Sequence, residues 1–225
     1  MSVPARGLYF VDAREAEDLT AFLARLIHYD RAAAVRLQAG GPDGPQPHLA
    51  VFGRPPSFEV LAIRTSRLRA PAQLDVTVSA GELLEGISDA GFIVPDAVTG
   101  PPWAGVLPPR GGWRRLAGLP PVEAMREAVA AAVAEFRRRD EELPAERRSR
   151  LERDQIGREI WSRTVGATPL PLRAVHAAQS LGFLRPGVAV ALLSAGSWLR
   201  LGTPFGTVAV RTAGLGGLNV TPTRG

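Results

Sequence analysis

The sequence predicts an α+β fold: an antiparallel, pseudo-duplicated sheet of two α-β-β-β units, with helices packed on one side. Three observations lead there. Strand-like runs occur in two sets of three, Ala33 to Gln38, His48 to Phe52 and Phe58 to Thr65, then Val188 to Leu193, Ser197 to Leu201 and Thr207 to Thr212. One amphipathic helical pattern precedes each set. Finally, Phe58-Glu-Val-Leu-Ala-Ile-Arg-Thr65 lies without a gap on Phe205-Gly-Thr-Val-Ala-Val-Arg-Thr212. Phe, Ala, Arg and Thr coincide in that match, and both segments follow a Gly/Pro turn. Two such units, each with one apolar face and open edges, join edge to edge into one larger sheet that helices cover on one side.

The elements follow in order. Leu8 to Val11 is a short strand. Asp12 caps a helix ending near Tyr29, with Glu15 at capping-box spacing and Ala16, Leu19, Leu23, Leu26 and Ile27 on one stripe. Between the first two strands, Gly40 to Pro47 is saturated with turn formers. Leu74 to Val78 is a fourth strand, and Ser79-Ala-Gly-Glu82 caps a short helix carrying Leu83, Leu84 and Ile87. Residues 88 to 120 lose periodicity under repeated prolines and read as a long connector pinned by Trp103 and Trp113. Helices over Pro121 to Arg139 and Ala145 to Arg163 follow, and a third carries Leu172, Val175, Ala178 and Leu181. Gly182 suits the position after that helix, with Phe183 as its apolar partner. The tail, Ala213 to Gly225, is glycine-rich. The organisation expected is 1–90 as an N-terminal unit, 91–120 as connector, 121–165 as helical hairpin and 166–225 as C-terminal unit, forming one compact domain.

Composition excludes chemistry. All 27 basic residues among 225 are arginine, there is no cysteine, and there are three histidines. Schiff-base lysines, phosphate-loop lysines, thiol nucleophiles and thiolate metal sites are therefore impossible. Codon bias in a high-GC genome accounts for the missing lysine. A net charge of +5 is too mild for a nucleic-acid signature. No apolar run approaches membrane-spanning length and no leader pattern opens the chain, so a cytoplasmic protein without membrane contact is expected.

The closing hairpin, Thr203-Pro-Phe-Gly-Thr-Val-Ala-Val210, together with the order of elements, resembles the EspG-type chaperones of type VII secretion. That family has a quasi-two-fold α/β body with a helical section. The resemblance implies a protein-binding role and transfers no functional residue. The N-terminal strand and the Pro/Trp connector depart from its pattern.

Candidate chemistry is sparse. His28, His48 and His176 show no metal-ligand spacing, so no metal or cofactor is expected. His28 reads as a helix C-terminal residue and His176 as a partly buried one. No nucleophile elbow is present, Gly214-Leu-Gly-Gly217 precedes no helix, and no catalytic residues are assigned. The one suggestive cluster is Arg110, Gly111, Gly112, Trp113, Arg114 and Arg115. Two glycines let backbone N–H groups turn toward an anion, and three guanidinium groups flank a flat ring, as an anion or nucleic-acid site requires.

The leading functional reading is a non-catalytic protein-interaction or chaperone-like protein with a protein partner, a homodimer being left open. The second is nucleic-acid binding, through the Arg110–Arg115 cluster or a winged-helix-like C-terminal unit with the helix after Pro171 as recognition helix. An enzyme of unrecognised type is the third.

Overall fold

The computed structural model describes residues 7–40, 46–56, 58–144, 146 and 149–212. The predicted tail and Gly214–Gly217, most of the Gly40–Pro47 loop, and residues 145, 147 and 148 of the expected 145–163 helix lie outside them.

The strands are β1 (Gly7–Tyr9), β2 (Ala34–Ala39), β3 (His48–Gly53), β4 (Leu61–Arg67), β5 (Leu74–Ser79), β6 (Gly91–Ile93), β7 (Arg114–Leu116), β8 (Ala191–Ala195), β9 (Trp198–Thr203) and β10 (Gly206–Arg211). The helices are α1 (Ala13–Tyr29), α2 (Ala80–Gly86), α3 (Val122–Glu141), α4 (Arg150–Trp161) and α5 (Leu172–Ser180). Eight strands form one antiparallel sheet in the order β5-β2-β3-β4-β10-β9-β8-β7, and β1 pairs with β6 apart from it. The fold is α+β as the pattern predicts. The succession α1-β2-β3-β4 is repeated in order by α5-β8-β9-β10, and the two meanders meet at β4 and β10.

The register at that junction corrects the sequence match. Ala62 opposes Val208 and Leu61 opposes Ala209. Opposed residues share a face, so Ala62 and Val208 point to the helices while Leu61 and Ala209 point away. The gapless match instead equates Leu61 with Val208 and Ala62 with Ala209, which lie on opposite faces. It finds the two central strands but is one residue out of structural register, and a one-residue slip inverts every side chain. A two-fold axis normal to the sheet must exchange residues that face the same way.

The helix-side core runs unbroken across both halves. Leu19, Leu23 and Leu26 of α1 pack with Val35, Leu37, Leu49 and Val51, and Val175 and Ala178 of α5 pack with Leu201, Val208 and Val210. Helices α3 and α4 lie over α5. Local signals set the helix ends. Asp12, Ser79 and Ser149 each accept from the backbone N–H three residues on, at 3.3, 3.4 and 3.3 Å. The C-terminus of α5 closes as expected: Gly182 has φ +74°, its N–H donates to Gln179 O, and Phe183 N–H donates to Ala178 O. Phe183 stacks on Phe22 of α1, and its ring fills the space a Cβ at Gly206 would need. One glycine in the β9–β10 turn therefore lets the cap of α5 sit against the sheet.

Glu15 departs from expectation. It turns away from its own helix end into the core side of β4, where it meets Arg67 Nε at 2.6 Å and Arg64 at 3.6 Å. Arg64 is 7% exposed, reaches Asp18 at 2.9 Å and donates to the Phe205 carbonyl at 2.9 Å. One buried guanidinium thus ties α1, β4 and the β9–β10 turn together. His176 stacks on Trp161 at 4.4 Å and meets Phe58 edge-on at 5.0 Å. Its partial burial pushes the imidazole pKa below the ordinary histidine value.

The expected connector is more ordered than its composition indicates, since it contains β6, a 3-10 turn over Pro102–Gly105, and β7. Strands of three residues are too short to show alternation, so neither is readable in the sequence.

Replacing Arg64 by Ala is expected to cost about 3 kcal/mol, because Asp18 and Glu15 lose a buried partner and the Phe205 carbonyl loses its donor. Urea unfolding measures this. His176 accepts a proton less readily folded than unfolded, so its contribution is intact above pH ~6.5 and is lost as pH falls below that through its lowered folded-state pKa. His176→Phe should flatten that part of the stability–pH profile.

Candidate functional site

The face of the sheet opposite the helices carries a second, smaller core of Phe52, Leu61, Ile63 and Ala209. No helix covers it. The chain itself does, crossing from the β5 edge toward β7 at the far edge. Val98 N–H donates to Thr77 O at the β5 edge, and Trp103 and Leu107 pack on Phe52, Leu61, Ile63 and Ala209. Arg36 on β2 pins this strap by donating to the Ala104 carbonyl while bound to Asp75 through two hydrogen bonds of 2.7 and 2.8 Å. Those bonds hold the Asp75 carboxyl below its ordinary pKa.

A cavity opens on each side of the strap. One, of about 250 Å³, is lined by Arg54, Leu61, Trp103, Trp198, Ala209 and Arg211 among others. The other, of about 150 Å³, lies under Pro108, Pro109 and Arg110. Its apolar lining is Ala50, Phe52 and Ile63, and its polar lining includes Gln38, His48, Thr65, Arg110 and Arg200. His48 and Thr65 face the strap because β3 and β4 present alternate residues to it. The His48 Nδ1 contacts the Gln46 carbonyl at 3.2 Å and must be the donor there.

The structure divides the sequence-predicted cluster. Arg110 lines the smaller cavity. Trp113 donates its indole N–H to Pro109 O at 2.9 Å, and the Arg200 guanidinium lies 5.5 Å from its ring centroid. Gly112 takes φ +77°, so the two glycines make the bend that lets Trp113 fold back. Arg114 and Arg115 go instead to the edge strand β7, where they pair with Ser194 and Leu193 and line neither cavity. Arg200, His48 and Thr65 were not predicted. The only sequence signal for Arg200 is a lone charge in the strand Trp198-Leu-Arg-Leu201, on the same face as Trp198.

Arg200 has an unusual environment for a guanidinium. It sits at the centre of the C-terminal meander, opposite Ala209 and Leu193. Burial lowers its pKa from the ordinary arginine value, the opposite of the raised values at ion-paired Arg36, Arg139 and Arg163. No carboxylate lies within 4.0 Å of it, or of Arg54, Arg110, Arg115 or Arg211, among the described residues. On the helical side several arginines are neutralised, while Arg14, Arg25, Arg126, Arg137 and Arg158 have no carboxylate within 4.0 Å among the described residues. Arg139 and Arg163 share Glu135 and Glu159, and that pair of cations holds the Glu159 carboxyl down to about 2.

The remaining residues singled out from the sequence lie elsewhere. His28 is in the last turn of α1 as expected, beside Tyr29. No group of three histidines or carboxylates able to hold a metal occurs among the described residues, and no described helix is long and apolar enough to cross a membrane. The expected recognition helix, α5, has no exposed residue. Its Ala174, Val175, Ala177 and Ala178 are buried against the sheet and α3, so it cannot lie in a DNA groove without leaving the core.

Residues 3–105 match a family model described as a domain of unknown function (DUF8010), and residues 108–215 match a second, DUF8185. Comparison with curated proteins and with solved structures yields no match. The boundary between the two matched regions falls within the strap. Both cavities are consequently composite: β2, β3 and β4 come from the first region, and Arg110, Arg200 and Arg211 from the second.

If Arg36 pins the strap, Arg36→Ala should release it without unfolding the sheet. Limited trypsin digestion is expected to cut after Arg110 on the order of tenfold faster. Thermal unfolding of the remaining body should change little.

Proposed function

We propose that the chain is a non-catalytic interaction protein that takes an acidic segment of a protein partner on the strapped face of its sheet. One observation carries this reading. The guanidinium groups of Arg54, Arg115 and Arg211 on that face lack carboxylate partners among the described residues, whereas Arg138, Arg139, Arg153 and Arg163 of the helical layer are ion-paired. Arg115 and Arg200 both flank Leu193 in register, so they share this face. Unpaired cations on a rigid sheet are a fixed positive surface that an acidic partner would neutralise without reorganising it. The resemblance to EspG-type chaperones points the same way.

Nucleic acid is the second reading, favoured by the same cations. Its usual companion is a set of free aromatic faces for base stacking. Here Trp103 lies on Phe52 and Leu61, and Trp113 is engaged by Arg200 and Pro109. That weighs toward a protein segment.

The test compares the native chain with the triple variant Arg54→Gln, Arg115→Gln, Arg211→Gln. Partners captured from the source organism are identified by mass spectrometry, and a synthetic peptide of the acidic stretch they share is titrated. Peptide binding that the triple variant reduces by about tenfold or more supports the reading. Retention of single-stranded oligonucleotide that collapses with salt, with no peptide binding, would replace it by the nucleic-acid one.

A further inference from the structure

We propose that the cavity beneath Pro108, Pro109 and Arg110 binds a small organic oxyanion, a molecule with an apolar body and a single carboxylate or phosphate group. This goes beyond the partner reading, since it uses different side chains and stands whether or not a protein docks on the face.

Size sets the first limit. A cavity of about 150 Å³ is the volume of an engineered core cavity that takes up benzene. The space suits a molecule of one small ring or a short branched chain.

Chemistry sets the second. The lining has two unlike parts. Phe52, Ile63, Ala50 and Pro108 form an apolar floor and wall, which favours a hydrocarbon body. Arg110 and Arg200 bring two positive charges with no carboxylate within 4.0 Å among the described residues. The nearby Asp75 acts on Arg110 only through a weak Coulombic attraction, since both its oxygens are held by Arg36 and Gln38 takes a further bond at 3.1 Å. Gln38, His48 and Thr65 complete the polar rim.

Energetics sets the third. Arg200 is partly withdrawn from water without an anion to compensate, and its lowered pKa expresses that cost. An oxyanion in the cavity removes it, and guanidinium groups match carboxylate and phosphate geometry through paired N–H donors. Trp113 lies beside Arg200 and limits where its guanidinium can go, so little side-chain freedom remains to be lost on binding. A bound anion would also tie Arg110 of the strap to β9, joining the two matched regions across the sheet.

The experiment is calorimetric titration of the whole chain with benzoate, phenyl phosphate, inorganic phosphate and benzyl alcohol. Saturable binding of benzoate or phenyl phosphate, with none of benzyl alcohol, is expected; which of the two binds tighter names the oxyanion. Arg200→Gln and Arg110→Gln should each weaken it by about tenfold or more. Arg110 is exposed, so its variant probes the site without disturbing the core. The triple variant at Arg54, Arg115 and Arg211 should bind these ligands as the native chain does, which separates this site from the docking surface. Absence of saturable binding by both aromatic anions overturns the proposal. So does binding that is indifferent to Arg110→Gln and Arg200→Gln, or inorganic phosphate binding as tightly as phenyl phosphate.

Discussion

The junction of β4 with β10 is the constraint on which the rest depends. It turns two meanders, neither with enough strands to close its own face, into one eight-stranded sheet. Backbone pairing alone would leave that junction free to slide. Arg64 prevents this, because its guanidinium must reach Asp18 on α1 and the Phe205 carbonyl at once. Any shift of β10 along β4 moves the carbonyl out of range and leaves a buried cation short of an acceptor. Gly206 adds a steric condition, since only a residue without Cβ lets the Phe183 ring lie against the turn. Charge and shape together select the register that puts Ala62 and Val208 toward the helices.

Once the register is set, the second face follows. Phe52, Leu61, Ile63 and Ala209 are brought together on the side away from the α-helices. An apolar patch at the centre of a sheet invites association unless it is covered. The strap covers it with Trp103 and Leu107, yet a single segment cannot blanket eight strands. The uncovered ground on either side becomes the two cavities, and the arginines around them have few acids to answer. The unpaired cations at the margins of the strapped face are thus a consequence of how the chain crosses the sheet.

Much of this was legible in the sequence, and the failures have physical causes. The helix stripes of α1 and α5, the six meander strands and the caps at Asp12, Ser79 and Gly182 follow from periodicity and local hydrogen bonding. The edge-to-edge joining was legible because two apolar-faced meanders have little else to do. Its register was not, because the Phe58 and Phe205 segments match best one residue away from where they are equivalent. Gly91-Phe-Ile93 and Arg114-Arg-Leu116 become strands only through partners distant in sequence, so nothing local announces them. At the site, Arg110 and Trp113 stood out because two glycines and a bulky ring in a connector need an explanation. Arg200, His48 and Thr65 sit in ordinary alternating strands. Their importance depends on which face the connector crosses, which alternation cannot say.

The near-symmetry of the sheet has a consequence for any shortened version of the chain. Cut at the strap, each piece would keep its helix and its meander but present a bare innermost strand, β4 in one and β10 in the other. Antiparallel pairing about a local dyad is the relation that like strands adopt with one another. Such a fragment therefore carries the means to close on a second copy of itself, and the fused protein reads as that self-association made internal and permanent by one connecting segment.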